Sequence, residues 1–322
     1  MPHLLRVQNL STYYKTQRGF VKAVDNVSFE LKEKEALGLA GESGCGKTTI
    51  ALSLLRILPV GGFIKSGHIF FRNTDIVKLS DQEMRERIRW KKISLVFQGA
   101  MNALNPVYKI GDQIVEAIRT HEPEVEKREA LERGKKLFEL VGIEPERINN
   151  YPHEFSGGMR QRAMLAMALA TNPELLIADE PTTALDVIVQ AQTLKLIRDL
   201  KKTLGLSLML ITHDLSIITE TCDKIAIMYA GKIVELGSVA SIYKEPLHPY
   251  TQGLLAAFPS IKAPRTRMIS IPGFPPDLIN PPTGCRFHPR CKYAMNICKK
   301  KEPVLTDVGN HHMVACHLIQ KT

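Results

Sequence analysis

The chain has 322 residues, 44% hydrophobic and 24% charged, with a formal net charge of +10 and a pI near 9.3. That balance excludes an intrinsically disordered or low-complexity chain, and the length allows about two units of ordinary size with a large buried core. No stretch approaches the roughly 20 apolar residues that span a bilayer, and Met1 to Leu10 lacks a basic stretch followed by a long apolar run; a cytosolic protein that meets a membrane only through a partner is therefore expected.

In chain order, Leu4 to Glu30 reads as an antiparallel flap, Glu35 to Ala40 as a strand and Thr48 to Leu58 as a helix. Gly41-Glu-Ser-Gly-Cys-Gly-Lys-Thr48, between that strand and helix, matches G-x-x-x-x-G-K-[ST]. Glycines 41, 44 and 46 let the backbone wrap a phosphate chain closely, with N–H groups and the helix N-terminus facing the anion. Lys47 is then expected at the β- and γ-phosphates of a nucleotide and the Thr48 hydroxyl on Mg²⁺. Ser43, Cys45 and Thr49 share the loop and its helix start and count as nucleotide contacts, although Cys45, like Cys222, also reads as a packing residue. The interleaved charges of Asp81-Gln-Glu-Met-Arg-Glu-Arg-Ile-Arg-Trp-Lys-Lys92 read as a solvated face, and no nucleic-acid partner is expected.

Ile93 to Phe97 reads as the next strand. From Gly111 to Ala170 the pattern is wholly helical, with Pro145, Pro152 and Gly157-Gly158 as punctuation, which predicts a helical subdomain, about 100–170, inserted in the sheet. Leu175 to Asp179 is an apolar strand ending in Asp179-Glu180, at the carboxyl end of the sheet where ligands of such folds bind. Asp179 is expected to hold Mg²⁺, and Glu180 to orient or deprotonate an attacking water. Ser207 to Ile211 and Lys224 to Tyr229 are further strands. The alternation implies an α/β protein with a mainly parallel sheet core, an antiparallel β subdomain and the inserted helical subdomain.

Past Phe258 the composition changes, and Ile271-Pro-Gly-Phe-Pro-Pro-Asp-Leu-Ile-Asn-Pro-Pro-Thr-Gly284 is too rich in proline for helix or central strand. A boundary is placed near 255, giving a nucleotide-binding domain over 1–255 and a small Cys-rich C-terminal domain over 256–322. Cys285, Cys291, Cys298 and Cys316 crowd this tail. In a reducing compartment such a cluster suggests metal before disulfides. The intervals of five, six and seventeen residues fit neither common ferredoxin runs nor C-x-x-C zinc ribbons, and four thiolates suit iron or zinc alike.

Phe155-Ser-Gly-Gly-Met-Arg-Gln161 resembles the signature of ABC ATPases, with Phe155 first and Met159 last where the family has L-S-G-G-Q. Gln98 after its strand resembles the Q-loop, Thr182-Thr-Ala-Leu-Asp186 the D-loop, and His213 the switch histidine. The resemblance implies that Ser156, Gly157 and Gly158 face the γ-phosphate of ATP bound by the opposite subunit. It also implies that His213 touches the γ-phosphate of its own site, that Gln98 senses Mg²⁺ and water, and that Asp186 belongs to the nucleotide surroundings. An aromatic near the N-terminus stacks on adenine in this family; Tyr14, with Tyr13 as the alternate, fits that place.

Phe97-Gln-Gly-Ala-Met-Asn-Ala-Leu-Asn-Pro-Val107 resembles the extended Q-loop of dipeptide and oligopeptide importers, and His248-Pro-Tyr-Thr251 the motif opening their C-terminal extension. Gly284-Cys-Arg-Phe-His-Pro-Arg-Cys291 with Cys298 and Cys316 resembles the end of those subunits, where four cysteines carry a [4Fe-4S] cluster; Zn²⁺ is the alternative. The implied protein is an ATPase on the cytoplasmic face of the cell membrane that drives peptide import. Its implied partners are a second ABC ATPase subunit, two transmembrane permease subunits and an extracytoplasmic solute-binding protein. A related, distinct second chain is expected, with a homodimer as the other arrangement. Nickel or another small solute is an alternative cargo, and a soluble ABC ATPase acting on DNA or ribosomes an alternative class.

Overall fold

The computed structural model describes residues 3–99, 103–183, 185–257 and 271–319. In chain order they form β1 (His3–Thr16), β2 (Gly19–Lys32), β3 (Ala36–Ala40), α1 (Lys47–Leu55), β4 (Gly62–Phe71), β5 (Thr74–Asp75), α2 (Asp81–Glu83), β6 (Ile93–Val96), α3 (Ile110–His121), α4 (Lys127–Leu140) and α5 (Gly157–Ala168). There follow β7 (Leu175–Asp179), α6 (Val187–Leu204), β8 (Ser207–Ile211), α7 (Leu215–Thr221), β9 (Lys224–Tyr229), β10 (Lys232–Ser238), α8 (Val239–Lys244), α9 (Pro249–Ala257), α10 (Asn296–Lys300), β11 (Thr306–Asp307) and β12 (Met313–Val314). The chain divides into two compact units, Met1–Val77 with Ile211–Thr322, and Lys78–Leu210.

The first unit holds an antiparallel sheet in the order β2-β1-β4-β5, the expected flap extended by two strands. Beside it β3 pairs in parallel with β9, β9 runs antiparallel to β10, and β12 joins β10 to β11. All five residues of β3, Ala-Leu-Gly-Leu-Ala, are buried, as expected of a strand covered on both faces. Gly38 lets α7 approach, since a Cβ there would lie 2.4 Å from Ile218 Cγ2. The turn Ala230-Gly231 takes positive φ at both residues, 47° and 84°, which suits a tight two-residue hairpin between β9 and β10.

The described residues of the Cys-rich tail, 271–319, lie in this first unit. Two contacts bring it in. β12 extends the sheet beyond β10, and the buried ring of Phe287 packs against Tyr229 and Tyr250 at 5.1 and 5.4 Å between centroids. A segment this rich in proline has little apolar residue of its own to bury, so it shares the core already built by β9 and α9.

In the second unit the strand order is β8-β7-β6, with β6 and β7 parallel and Val96 opposite Ala178. The helical stretch appears as α3, α4 and α5, interrupted by 3₁₀ turns at Pro145–Asn149 and Pro152–Glu154. Prolines at the start of each turn supply the fixed φ and need no N–H partner. α3 buries Ile110, Ile114 and Ile118 on one stripe, the spacing of an amphipathic helix. Phe138 of α4 is fully buried and meets the ring of Phe155 edge-on at 6.3 Å.

Burial also sets a pH response in the first unit. His248 is 1% exposed, its Nδ1 accepts the Tyr250 N–H at 3.0 Å, and burial pushes its pKa down to about 3. An unfolded chain takes up this proton near pH 6.5 while the folded chain does not, so the stability from this site is full above about pH 6.5 and falls by about 1.4 kcal/mol per unit as pH drops toward 3. In His248→Asn, which keeps an acceptor but cannot be protonated, urea midpoints measured from pH 7 to pH 5 are expected to decline less steeply than in the parent chain.

Candidate functional site

The loop from β3 into α1 is shaped by three glycines with positive φ: Gly41 at 150°, Gly44 at 77° and Gly46 at 108°. A Cβ at Gly41 would sit 2.2 Å from the Met228 carbonyl oxygen, and one at Gly46 2.1 Å from that of Ala23. Gly44 is different, exposed and with nothing within 4 Å of its Cβ position, so it leaves room for a ligand to approach the backbone. α1 starts at Lys47, after Gly46, with no side-chain cap and no acidic residue in its first turn. Its first N–H groups and the positive end of its dipole are thereby left to an anion.

Lys47 is buried and its Nζ donates to the Gly41 and Glu42 carbonyl oxygens at 2.7 and 3.0 Å. Ser43 and Thr48 are exposed, while Cys45 is buried with its Sγ 3.7 Å from Lys47 Nζ. Burial pushes the Cys45 thiol up, which keeps it protonated and marks it as a packing residue. The two tyrosines separate clearly. Tyr13 is buried and its hydroxyl donates to Asp25 Oδ1 at 2.9 Å; burial and that carboxylate raise its pKa to about 12. Tyr14 is half-buried, with its hydroxyl 3.2 Å from Thr49 Oγ1 at the start of α1. His213 is exposed two residues before α7, which Asp214 caps by accepting the Ser216 N–H at 2.8 Å.

In the second unit, β7 delivers Asp179, 1% exposed, at its carboxyl end. Glu180 follows with φ 45°, a left-handed conformation that costs a non-glycine residue roughly 1–3 kcal/mol and tends to occur at functional sites. Its Oε2 accepts from Gln98 Nε2 at 2.7 Å and from Thr183 Oγ1 at 3.1 Å. Parallel pairing of β6 with β7 brings Gln98 and Glu180 out at the same edge although 82 residues separate them. Thr183 lies within the stretch that resembles the D-loop, a resemblance that assigned it no role of its own.

Ser156 is exposed and caps α5, accepting the Met159 N–H at 3.3 Å, with Gly157 and Gly158 opening the helix. Gly158 also allows α6 to approach, since a Cβ would lie 2.7 Å from Val189 Cγ1. Asp186 acts as the cap of α6 and accepts the Ile188 and Val189 N–H groups at 3.0 and 2.9 Å. Ala184 of the D-loop and Ala100, Met101 and Asn102 of the extended Q-loop lie outside the described residues.

The four tail cysteines are neighbours. Burial pushes the Cys285 thiol up to about 11, and Cys298, Cys316 and Cys291 add to the rise by repulsion; burial likewise raises Cys291 and Cys316. All six cysteines carry free thiols. Among the described residues, however, no three His, Cys, Asp or Glu side chains converge as a group able to hold a metal ion. The expected iron-sulfur or zinc centre at Cys285, Cys291, Cys298 and Cys316 thus gains no support from this arrangement.

Comparison with known families places the molecule. Residues 24–183 match the ABC transporter family, and 234–298 match the C-terminal region of oligopeptide/dipeptide transporters. A similar fold is found in the ATP-binding cassette MJ0796, solved as a dimer in a post-hydrolysis state with ADP and Pi, at TM-score 0.65 and 26% identity over 73% of this chain and 98% of that one.

Among curated relatives, a probable peptide ABC transporter ATP-binding protein of Sinorhizobium fredii is 47% identical over 97% of this chain and 94% of its own length. The oligopeptide transport ATP-binding protein OppD of Bacillus subtilis is 47% identical over 98% of this chain and 89% of its own, and the dipeptide transport ATP-binding protein DppD of the same organism 44% over 99% and 95%. The chain belongs to the ATP-binding subunits of peptide ABC transporters, a family of ATPases.

The packing of Gly46 makes a direct test of the loop. Gly46→Ala needs the loop to move by about 1 Å to clear the Ala23 carbonyl, a misplacement that is expected to lower ATP turnover about 10²-fold, checked by steady-state ATPase assays beside a melting curve.

Proposed function

We propose that this chain binds Mg·ATP through the Gly41–Thr49 loop and hydrolyses it to drive import of dipeptides or oligopeptides. Backbone N–H groups of the loop and of the start of α1 hold the phosphates, Lys47 reaches the β- and γ-phosphates, and Tyr14 rather than the buried Tyr13 stacks on adenine. Thr48 and Asp179, with Gln98, are the residues that would hold Mg²⁺, an exposed hydroxyl, a buried strand-end carboxylate and an amide oxygen suited to a hard cation. When bound, Mg²⁺ neutralises charge developing on the phosphates.

The observation that carries the hydrolytic reading is the fixed carboxylate of Glu180, held by Gln98 and Thr183. In that position Glu180 takes a proton from water as the water oxygen bonds to the γ-phosphorus and the bond from that phosphorus to the bridging oxygen breaks, leaving ADP and phosphate. His213 contacts the γ-phosphate. Ser156, Gly157 and Gly158 present donors to the ATP of a second subunit, with Asp186 holding the adjoining helix start, so that two subunits close on two nucleotides and part after hydrolysis.

The further partners in this reading are a related ATPase subunit, two transmembrane permeases and an extracytoplasmic solute-binding protein, with the chain on the cytoplasmic face of the membrane. Peptide cargo is supported by the C-terminal match and by the relatives named for oligopeptide and dipeptide transport. No helix among the described residues is long and apolar enough to cross a membrane, consistent with attachment through partners.

A tagged Glu180→Gln chain tests both parts at once. Recovered from detergent-solubilised membranes with Mg·ATP, it is expected to retain nucleotide, to turn over more than about 10²-fold slower, and to bring down two polytopic membrane proteins and a second ATPase. Near-normal turnover would remove Glu180 from its role, and recovery of ribosomal or DNA-repair proteins would overturn the transporter.

The reading also retains a [4Fe-4S] cluster at Cys285, Cys291, Cys298 and Cys316, or Zn²⁺ in its place, on the resemblance of the tail sequence to the end of peptide-importer ATPase subunits, and assigns it no step in hydrolysis. Iron, sulfide and zinc analysis of anaerobically purified protein is expected to find one centre per chain; absence of all three would leave the cysteines as structural thiols.

A further inference from the structure

Glu42, the residue after Gly41 in the phosphate loop, is held by groups more than two hundred positions further along the chain. Its N–H donates to the buried hydroxyl oxygen of Tyr250 at 2.9 Å, across 208 residues. Its carboxylate is gripped at both oxygens by Arg290, Nη1 to Oε2 at 2.6 Å and Nη2 to Oε1 at 2.9 Å, across 248 residues. Its carbonyl oxygen accepts from Lys47 Nζ at 3.0 Å. Every polar group of Glu42 therefore has a partner.

Arg290 is placed as firmly as the residue it holds. Its side chain is 6% exposed, and all five of its N–H groups have acceptors. Besides the two on Glu42, Nε donates to the Pro272 carbonyl at 2.8 Å, Nη2 to that of Ile271 at 3.4 Å, and Nη1 to the Tyr229 hydroxyl at 3.4 Å. A guanidinium with its whole fork occupied is a rigid clamp, since any shift breaks several bonds together.

The clamp has an electrostatic side as well as a geometric one. A free carboxylate in a loop that receives a polyphosphate repels the ligand, all the more where water is partly excluded. Pairing with Arg290 cancels that charge where the loop must accept an anion. The sequence hides this arrangement, because Arg290 falls among the tail cysteines and Glu42 at a position the motif leaves open.

We propose that Arg290 is a positioning residue for nucleotide binding, contributed by the C-terminal tail, which fixes the backbone of the phosphate loop at Glu42 and neutralises the carboxylate there. The proposal rests on the reading of Gly41–Thr49 as the ATP loop. It makes the affinity of that loop depend on a segment outside the nucleotide motifs.

Four variants of the 322-residue chain decide it, with Kd for ATP, KM, kcat and melting temperature measured for each: Arg290→Gln, Glu42→Gln, the two combined, and Arg290→Lys. Arg290→Gln is expected to raise Kd and KM about ten-fold with a smaller change in kcat, because it both loosens the loop and leaves a carboxylate unpaired. Glu42→Gln loosens the loop and leaves the Arg290 charge unpaired, but as a cation that does not repel ATP, and is expected to raise Kd only about three-fold. The combined variant is expected to bind ATP more tightly than Arg290→Gln alone, since the second change removes the stranded charge, and Arg290→Lys to recover part of the loss. A purely structural role for the tail would not give that reversal.

Lys47→Ala is the reference. If it loses ATP while Arg290→Gln stays within about two-fold of the parent, the positioning role is overturned and the nucleotide site stands. If Lys47→Ala and Arg290→Gln both bind as the parent does, the nucleotide reading falls and this one with it. Should Arg290→Gln fail to fold, Glu42→Gln decides, and affinity unchanged from the parent overturns the role.

Discussion

A helix start can hold a polyphosphate only if its N–H groups are left unspent and the chain leading into it bends back without side chains in the way. The first unit is arranged around that requirement. α1 follows Gly46 with neither a side-chain cap nor an acid in its first turn. Neighbouring strands press on the loop from outside, with the Met228 carbonyl at Gly41 and the Ala23 carbonyl at Gly46, each too near for any side chain. β9, β2 and the loop thus form one packed piece, and the buried run of β3 supplies the rigid approach from which the turn departs.

The parts of this architecture visible in the sequence are those set by burial over short distances. β3, β7, β8 and β9 are almost wholly buried, so their apolar runs announce them, with ends within one residue of expectation. β4 is harder to see: Lys65-Ser66-Gly67 interrupts its apolar residues, and its place as a strand comes from pairing with β1. β10, β11 and β12 exist through their pairing with one another and with β9, which local composition does not encode.

The site shows the same division. Gly41 to Thr48 and Asp179-Glu180 stand out because their chemistry needs consecutive residues. The choice between Tyr13 and Tyr14 required knowing that Asp25 holds the first and Thr49 meets the second. The bond from Gln98 to Glu180 required the register of β6 against β7. Asp186, read from the sequence among the nucleotide contacts, is seen here capping α6. The basic excess also takes on a definite meaning in the tail, where Arg286 pairs with Asp25 and Arg290 with Glu42. Both guanidinium groups are buried, so these charges serve the interior of the unit.

The first unit is assembled from two stretches of chain with the whole second unit between them. On a ribosome adding about 5–20 residues per second, the 248 positions that separate Glu42 from Arg290 take roughly 12–50 s to synthesise. During that interval the nascent phosphate loop exists without its arginine, and β12 has not yet reached β10. Completion of the nucleotide cradle is thereby tied to completion of translation: a message truncated before codon 290 yields a chain bearing every nucleotide motif but lacking the clamp beside them.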